Sequence, residues 1–524
     1  MKPRQVFVRE ATGLVREFSW FDAFNISAAI ILPSLWSYSS QVAFLTSATP
    51  GADWVMSEHL GLLFMIPLAI TYILMSRSMP RSGGDYVWVS RLLHPAIGFM
   101  SGWLFWFAVL TALAVNVFIN SSVIIPLFLA SIGYGLGNSS LVGLASAVTA
   151  PTTVYILGLV WIAVGAVIAG IGPKYFSRAM LVLFALIALS MVLSFAVFAT
   201  SSHADFVNAV NGYGGSNMTY DGIINQAKSG GWSYSPLSTS ATLYSIPLSI
   251  LLFTGMNYSA AASGEIKNVR SSMGYAILGS LLFAWLMNVI GTQLSVNVVG
   301  YEFAQASLSL GSNWPLVAPP WIPTFVSMLI RNPLLLILIQ LGWLLTFLWW
   351  NGSGFVVVTR YVFAFSFDRV LPAKLADVND RFHTPVNATA LNFVLCAIML
   401  AVATFTPFVG LYENTVAMCA IVWFLGSVAA ILLPYKNKEL ASILPGSKWR
   451  VPAITIAGIV SMITMAITFY FSVTNPLVGP STPMAGAVLV TTIVTGLAVY
   501  GVSYLLNKRR GIDLALISSQ IPPE

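Results

Sequence analysis

A succession of apolar stretches, most of them about 20 residues or longer and separated by short polar connections, runs through the chain. A helix of that length matches the hydrocarbon thickness of a bilayer. Lipid offers the backbone no hydrogen-bond partners, so a chain built this way crosses it as helices that satisfy their own peptide groups. We read twelve crossings, at 20–46, 59–79, 96–130, 151–171, 178–199, 241–263, 273–299, 333–365, 386–406, 411–434, 451–474 and 484–506. With 57% of its 524 residues hydrophobic and only 8% charged, the chain has too few charges to cover a water-soluble surface. The fold class is therefore an all-α integral membrane protein.

The formal charge of +7 does not point to nucleic acid, because the basic residues form short clusters at the ends of apolar runs. Their placement instead sets topology. With a cytoplasmic N-terminus, every one of the 24 Lys and Arg residues except Lys228 and Arg331 falls on the cytoplasmic side, which is the bias seen in membrane proteins. This puts both termini in the cytoplasm of a multi-pass plasma-membrane protein. No apolar segment ahead of a cleavage site follows the polar stretch 1–17, so no secretory signal is expected. Cys396 and Cys419 both lie inside apolar runs, where they read as packing residues. The four His residues, 59, 94, 203 and 383, are dispersed, and no metal-ligand cluster, phosphate loop or nucleophile triad is present. We expect neither an enzyme nor a cofactor.

Two apolar runs are interrupted. In the sixth, Phe253-Thr254-Gly255-Met256-Asn257-Tyr258-Ser259 is crowded with residues that break a helix or satisfy its freed backbone. In the first, Pro33 removes a backbone hydrogen bond midway and Ser34 follows it. These are corresponding members if helices 1–5 and 6–10 form two halves, and a matched pair of broken helices marks a solute site built on inverted repeats. Freed N–H groups attract an anion and freed carbonyls a cation. An amino acid presents one group of each kind.

Three motifs carry a family resemblance. Met79-Pro80-Arg81-Ser82-Gly83-Gly84-Asp85-Tyr86-Val87-Trp88-Val89-Ser90-Arg91 resembles the loop signature of the amino acid–polyamine–organocation transporter superfamily. Gly264-Glu265-Ile266-Lys267-Asn268 is similar to the end of that family's sixth helix, and Arg360 to Pro372 to the exit of its eighth. The resemblance implies the leucine-transporter fold. In that fold two inverted five-helix repeats hold substrate between the breaks of helices 1 and 6, with helices 11 and 12 outside. The segments would be a cytoplasmic N-terminal segment 1–17, a first repeat 18–200, an extracellular loop 201–240, a second repeat 241–434, helices 11 and 12 within 435–510, and a cytoplasmic tail 511–524.

Carried onto this sequence, the substrate site falls on Ile31, Leu32, Pro33 and Ser34 of the first helix and on Phe253, Thr254, Gly255, Met256 and Asn257 of the sixth. Pro33 and Leu35 stand where the family has glycines. Asn116 and Asn120, sharing a face of the third helix, and Trp423 in the tenth are further candidates against a plain packing role. Asn351 and Ser353 form a candidate ion site, because sodium-coupled relatives set hydroxyls of helix 8 opposite helix 1. Some proton-coupled relatives have a lysine in helix 5, and 179–187 has none. The coupling ion, Na+ or H+, stays open. Glu265 pairing with Arg81 is the candidate inner gate, against a solvated charge at a helix end. The expected function is secondary active transport of an amino acid or related amine by alternating access. The alternative is a solute-binding receptor of the same fold that does not transport. Monomer and homodimer both fit, since the small residues Gly458, Ala485, Gly486 and Gly496 could pack on a second copy or on the core.

Overall fold

The computed structural model describes residues 12–31, 49–213, 218–406, 414–475 and 479–522. Among them every regular element is a helix, and one isolated backbone bridge joins Phe18 and Ile266. The helices that matter here are α1 (Trp20–Ile31), α2 (Trp54–Ser78), α3 (Asp85–Leu92), α4 (Pro95–Gly135), α5 (Pro151–Gly170), α6 (Pro173–Thr200), α7 (Thr239–Tyr244), α8 (Ile246–Leu251), α9 (Tyr258–Ala261), α10 (Val269–Val299), α11 (Pro333–Phe367), α12 (Val386–Phe405), α13 (Thr415–Lys436), α14 (Ala453–Val473) and α15 (Pro483–Arg509). Ten of these, α2, α4 to α6 and α10 to α15, are long and apolar enough to cross a membrane.

Local chemistry sets where these helices start. Pro95, Pro151, Pro173, Pro333 and Pro483 each open one, where the missing N–H costs nothing. Side chains of Asp53, Asn332 and Thr482 accept hydrogen bonds from the first free N–H groups of α2, α11 and α15. Two single π-helical turns, Asn120–Ile124 within α4 and Gly274–Leu278 within α10, shift the register of those helices without ending them.

Small residues let α11 lie at the centre of the bundle against α4, α5 and α6. At Gly342 a Cβ would stand 2.0 Å from that of Ser190, so only hydrogen fits. The small residues of the last two helices are used within the chain. Gly458 approaches the backbone of α13, Ala485 is fully buried, and Gly496 packs on Trp103; Gly486 alone lacks a close neighbour.

The sixth crossing is more fragmented than its sequence suggests. α7 and α8 lead to turns over 252–257, α9 spans a single turn, and a tight 3-10 turn at Ser263–Glu265 ends the segment. α1 covers only the start of the expected 20–46 span; Leu32, Pro33 and Ser34 lie outside the described residues. The connection expected as an extracellular loop at 201–240 carries the helices His203–Gly212 and Tyr220–Ser229. Its order comes from a capping box at Ser202 and Asp205 and from the packed rings of Phe206, Tyr220, Phe303 and Phe325, which tie it to the helical cap at 301–328.

Candidate functional site

Gly255 adopts φ 101°, a conformation that disfavours any side chain, and it lies in the middle of the turns that separate α8 from α9. α1 is stitched across this interruption. The Ser27 hydroxyl donates to Ser259 Oγ at 2.9 Å and accepts from the Ser259 N–H at 3.2 Å, while Ser353 of α11 donates to the Ile26 carbonyl at 2.5 Å. The end of α1 that bears Ile31 is thus held between the broken helix and α11. Thr254 Oγ1 donates to the Leu251 carbonyl at 2.7 Å, one of the carbonyls released where α8 ends.

Several buried polar atoms of the bundle have no partner. They include Asn257 Oδ1 beside Gly255, Trp423 Nε1 on α13, Trp349 Nε1 on α11, and both amide atoms of Asn120 at the π turn of α4. Buried groups of this kind cost free energy unless something satisfies them, and a polar solute can. Asn116, by contrast, donates to the Ala112 carbonyl of its own helix. Met256 is fully buried. Phe253 is seated against Gly61 of α2, where a Cβ would fall 2.9 Å from its ring.

The paired ion site at Asn351 and Ser353 is not formed. Residues two apart on a helix point to nearly opposite sides, and here Ser353 meets α1 whereas Asn351 lies against Gly165 of α5. Only Ser353 faces the expected partner. Asn351 instead leaves both of its amide atoms unpaired in the α5–α11 contact.

The expected Glu265–Arg81 pair is replaced by a different one. The carboxylate of Glu265, turned into the bundle by the 3-10 turn, accepts from Arg360 Nε at 2.7 Å and from its terminal nitrogen at 2.6 Å. Both side chains are buried to within 1%. Arg81 points the other way, to the Pro522 and Pro80 carbonyls. Glu265 is therefore not a solvated charge at a helix end.

The motif 79–91 closes this same end of the bundle. Gly83 N–H donates to the Ala261 carbonyl at 2.9 Å, and Ser263 Oγ to the Arg81 carbonyl at 3.1 Å. Asp85 accepts from Tyr72 at 2.7 Å and from Tyr361. Asp368 accepts from Tyr86 at 2.6 Å and holds Arg91 by two bonds of 2.5 and 2.7 Å. Phe18 N–H reaches the Glu265 carbonyl, and Lys267 N–H reaches Phe18. Asp85, Tyr361, Asp368, Arg91 and Arg360 were not singled out as site residues from the sequence. A signal for Arg360 was present: a lone arginine inside an apolar helix has to be paired.

Burial pushes the Asp85 carboxyl up to about 6, although the bonds from Tyr361 and Tyr72 favour its charged form. An acid whose value is higher folded than unfolded makes the folded state bind the proton more tightly. Stability from this group is then present at low pH and is lost as pH rises from about 4 to about 6. Asp85→Asn is expected to flatten that part of the melting-temperature profile, which is checked by following unfolding of both proteins between pH 4 and 7.

The family model for amino acid permeases matches residues 18–498. A curated relative, the branched-chain amino acid permease BcaP of Lactococcus lactis subsp. cremoris, is 25% identical over 389 residues, covering 72% of this chain and 73% of its own length. The match takes in the interrupted helix and all three motifs, and so the chain belongs to the amino acid permease family and is a membrane transporter of amino acids, not an enzyme.

Proposed function

We propose that the protein is a secondary active transporter of an apolar, branched-chain type amino acid, working by alternating access across the plasma membrane with both termini in the cytoplasm. The carrying observation is the interruption between α8 and α9, with Gly255 at φ 101° and the unpaired Asn257 oxygen beside it, held against α1 by Ser27 and Ser259. Freed N–H groups there suit a carboxylate, freed carbonyls suit an ammonium, and Met256 and Trp423 offer apolar surface to an aliphatic side chain. The name of the Lactococcus relative supports that substrate class.

In this reading the chain has twelve crossings. Two inverted five-helix halves make the core, and α14 and α15 lie outside it. The buried pairs Glu265–Arg360 and Arg91–Asp368 form the cytoplasmic gate, with the Phe18–Ile266 bridge laid across it. They must part for substrate to leave on that side.

Substitutions at the break are expected to act on substrate affinity. Thr254→Val and Asn257→Ala should raise the KM for leucine uptake at least fivefold, whereas Thr491→Val, exposed on α15, should leave it unchanged. Uptake into proteoliposomes containing each variant checks this. Equal effects at all three positions would place the site elsewhere.

A further inference from the structure

Glu58 has no role in the site or the gate, yet it is among the most secluded charged-type side chains of the molecule. It is fully buried one turn into α2. Almost the whole of α2 separates it from Arg77, about 28 Å along the helix, so it lies at the end of the bundle opposite the ion pairs. One carboxyl oxygen accepts from Thr292 Oγ1 of α10 at 3.3 Å; the other has no partner. Asn288, one turn earlier on α10, sits beside the carboxyl, and its amide atoms find no partner elsewhere.

Among the described residues no cation compensates a charge there. α2 packs against α7, α8, α9, α10, α13 and α14. Among these, α7, α8, α9 and α14 contain no Asp, Glu, Lys, Arg or His, and their titratable side chains are Tyr244, Tyr258 and Tyr470. On α10 the only charged residue is Arg270, and on α13 it is Lys436, both at the far end with Arg77; Tyr275, Cys419 and Tyr435 complete those helices. On α2 itself, Asp53 caps the helix and the His59 ring accepts from Trp285 Nε1 at 3.0 Å. An ionised carboxylate buried without a counter-charge costs several kcal/mol. A neutral acid fits: Thr292 donates to one oxygen, and the O–H on the other has the unpaired Asn288 Oδ1 as acceptor.

Its position links it to the broken helix. The neighbouring Ser57 shares a hydrogen bond of 2.6 Å with Ser245, at the junction of α7 and α8, and Asp53 N–H donates to Thr242 of α7 at 2.9 Å. Separating α2 from α10 would admit water to Glu58 and would pull on the half-helix leading into the site.

We propose that Glu58 carries a proton in this conformation and that exchange of this proton at the α2–α10 contact couples amino acid movement to the proton gradient. In the releasing step the carboxyl O–H bond breaks and the proton passes to water entering between the two helices, leaving a carboxylate that keeps them apart until it is reprotonated. The coupling part rests on the transport function proposed above; the protonation part does not.

The test compares wild type, Glu58→Gln and Glu58→Asp. Infrared spectra of the purified protein at pH 7 should show the carbonyl band of a protonated, sequestered carboxylic acid that Glu58→Gln lacks and Glu58→Asp retains. In proteoliposomes, accumulation of leucine driven by an acidic exterior should fall at least tenfold in Glu58→Gln, while leucine exchange at equal pH persists and shows the variant to be folded. A wild-type spectrum with no such band overturns the proposal, as does undiminished gradient-driven accumulation by Glu58→Gln. A wild type that shows the band and moves no leucine contradicts the transport function instead, and leaves the protonated carboxyl established.

Discussion

Replacing Arg360 with methionine is expected to destabilise the protein by about 3–5 kcal/mol, the usual effect of removing one partner from a buried ion pair. The reason is the carboxylate left behind. Glu265 is fully buried at the end of the 3-10 turn, and its two bonds to Arg360 are the ones that neutralise it. The double substitution Arg360→Met with Glu265→Leu should regain most of the loss, because two apolar side chains replace a pair whose desolvation was itself costly. Thermal unfolding in detergent checks both statements, with a fall on the order of 5 °C or more for the single variant. A single variant that melts with wild type would mean that the pair is not sequestered as described.

Gly83→Ala is the second large effect. Gly83 has φ 98°, which a residue with a Cβ rarely adopts, and an added Cβ would stand 2.5 Å from the Ala364 Cβ of α11. Backbone strain and overpacking each contribute about 1–3 kcal/mol. The Gly83 N–H also holds the Ala261 carbonyl, so any shift of this loop disturbs the end of the broken helix and should slow uptake as well as lower stability. Gly137→Ala separates the two causes. That glycine has φ 62° and no atom within 4 Å of the added Cβ, so only the backbone cost of about 1–2 kcal/mol remains. In Gly83→Ala with Ala364→Gly the clash is removed, and the melting temperature should recover part of the way.

Much of the helical framework is readable in the chain because a bilayer leaves so few choices. The starts of α4, α5, α11 and α15, each at a proline, fall within a residue of the positions read, α6 starts five residues earlier at Pro173, and the Gly-Met-Asn run announces the interruption before Tyr258. The partners of charged residues were not readable in the same way. Glu265 directly follows the motif glycine Gly264 and lies close in sequence to Lys267 and Arg270, yet its carboxylate meets Arg360, almost a hundred positions away, because the 3-10 turn points it inward. Asn351 and Ser353 are neighbours in sequence and strangers in space, since the helix turns them to different partners. Glu58 shows the same limit from the other side: an acid near a helix start reads as a solvated end, and only the packing of α10 over it removes the water.

Counterflow tests the central claim most directly. Proteoliposomes loaded with unlabelled leucine and diluted into a trace of labelled leucine should accumulate the label transiently, and Gly255→Val, which cannot hold φ 101°, should abolish that overshoot. Saturable leucine binding by purified wild type, with no entry of label into loaded vesicles, would contradict the account and identify a binding protein that does not transport.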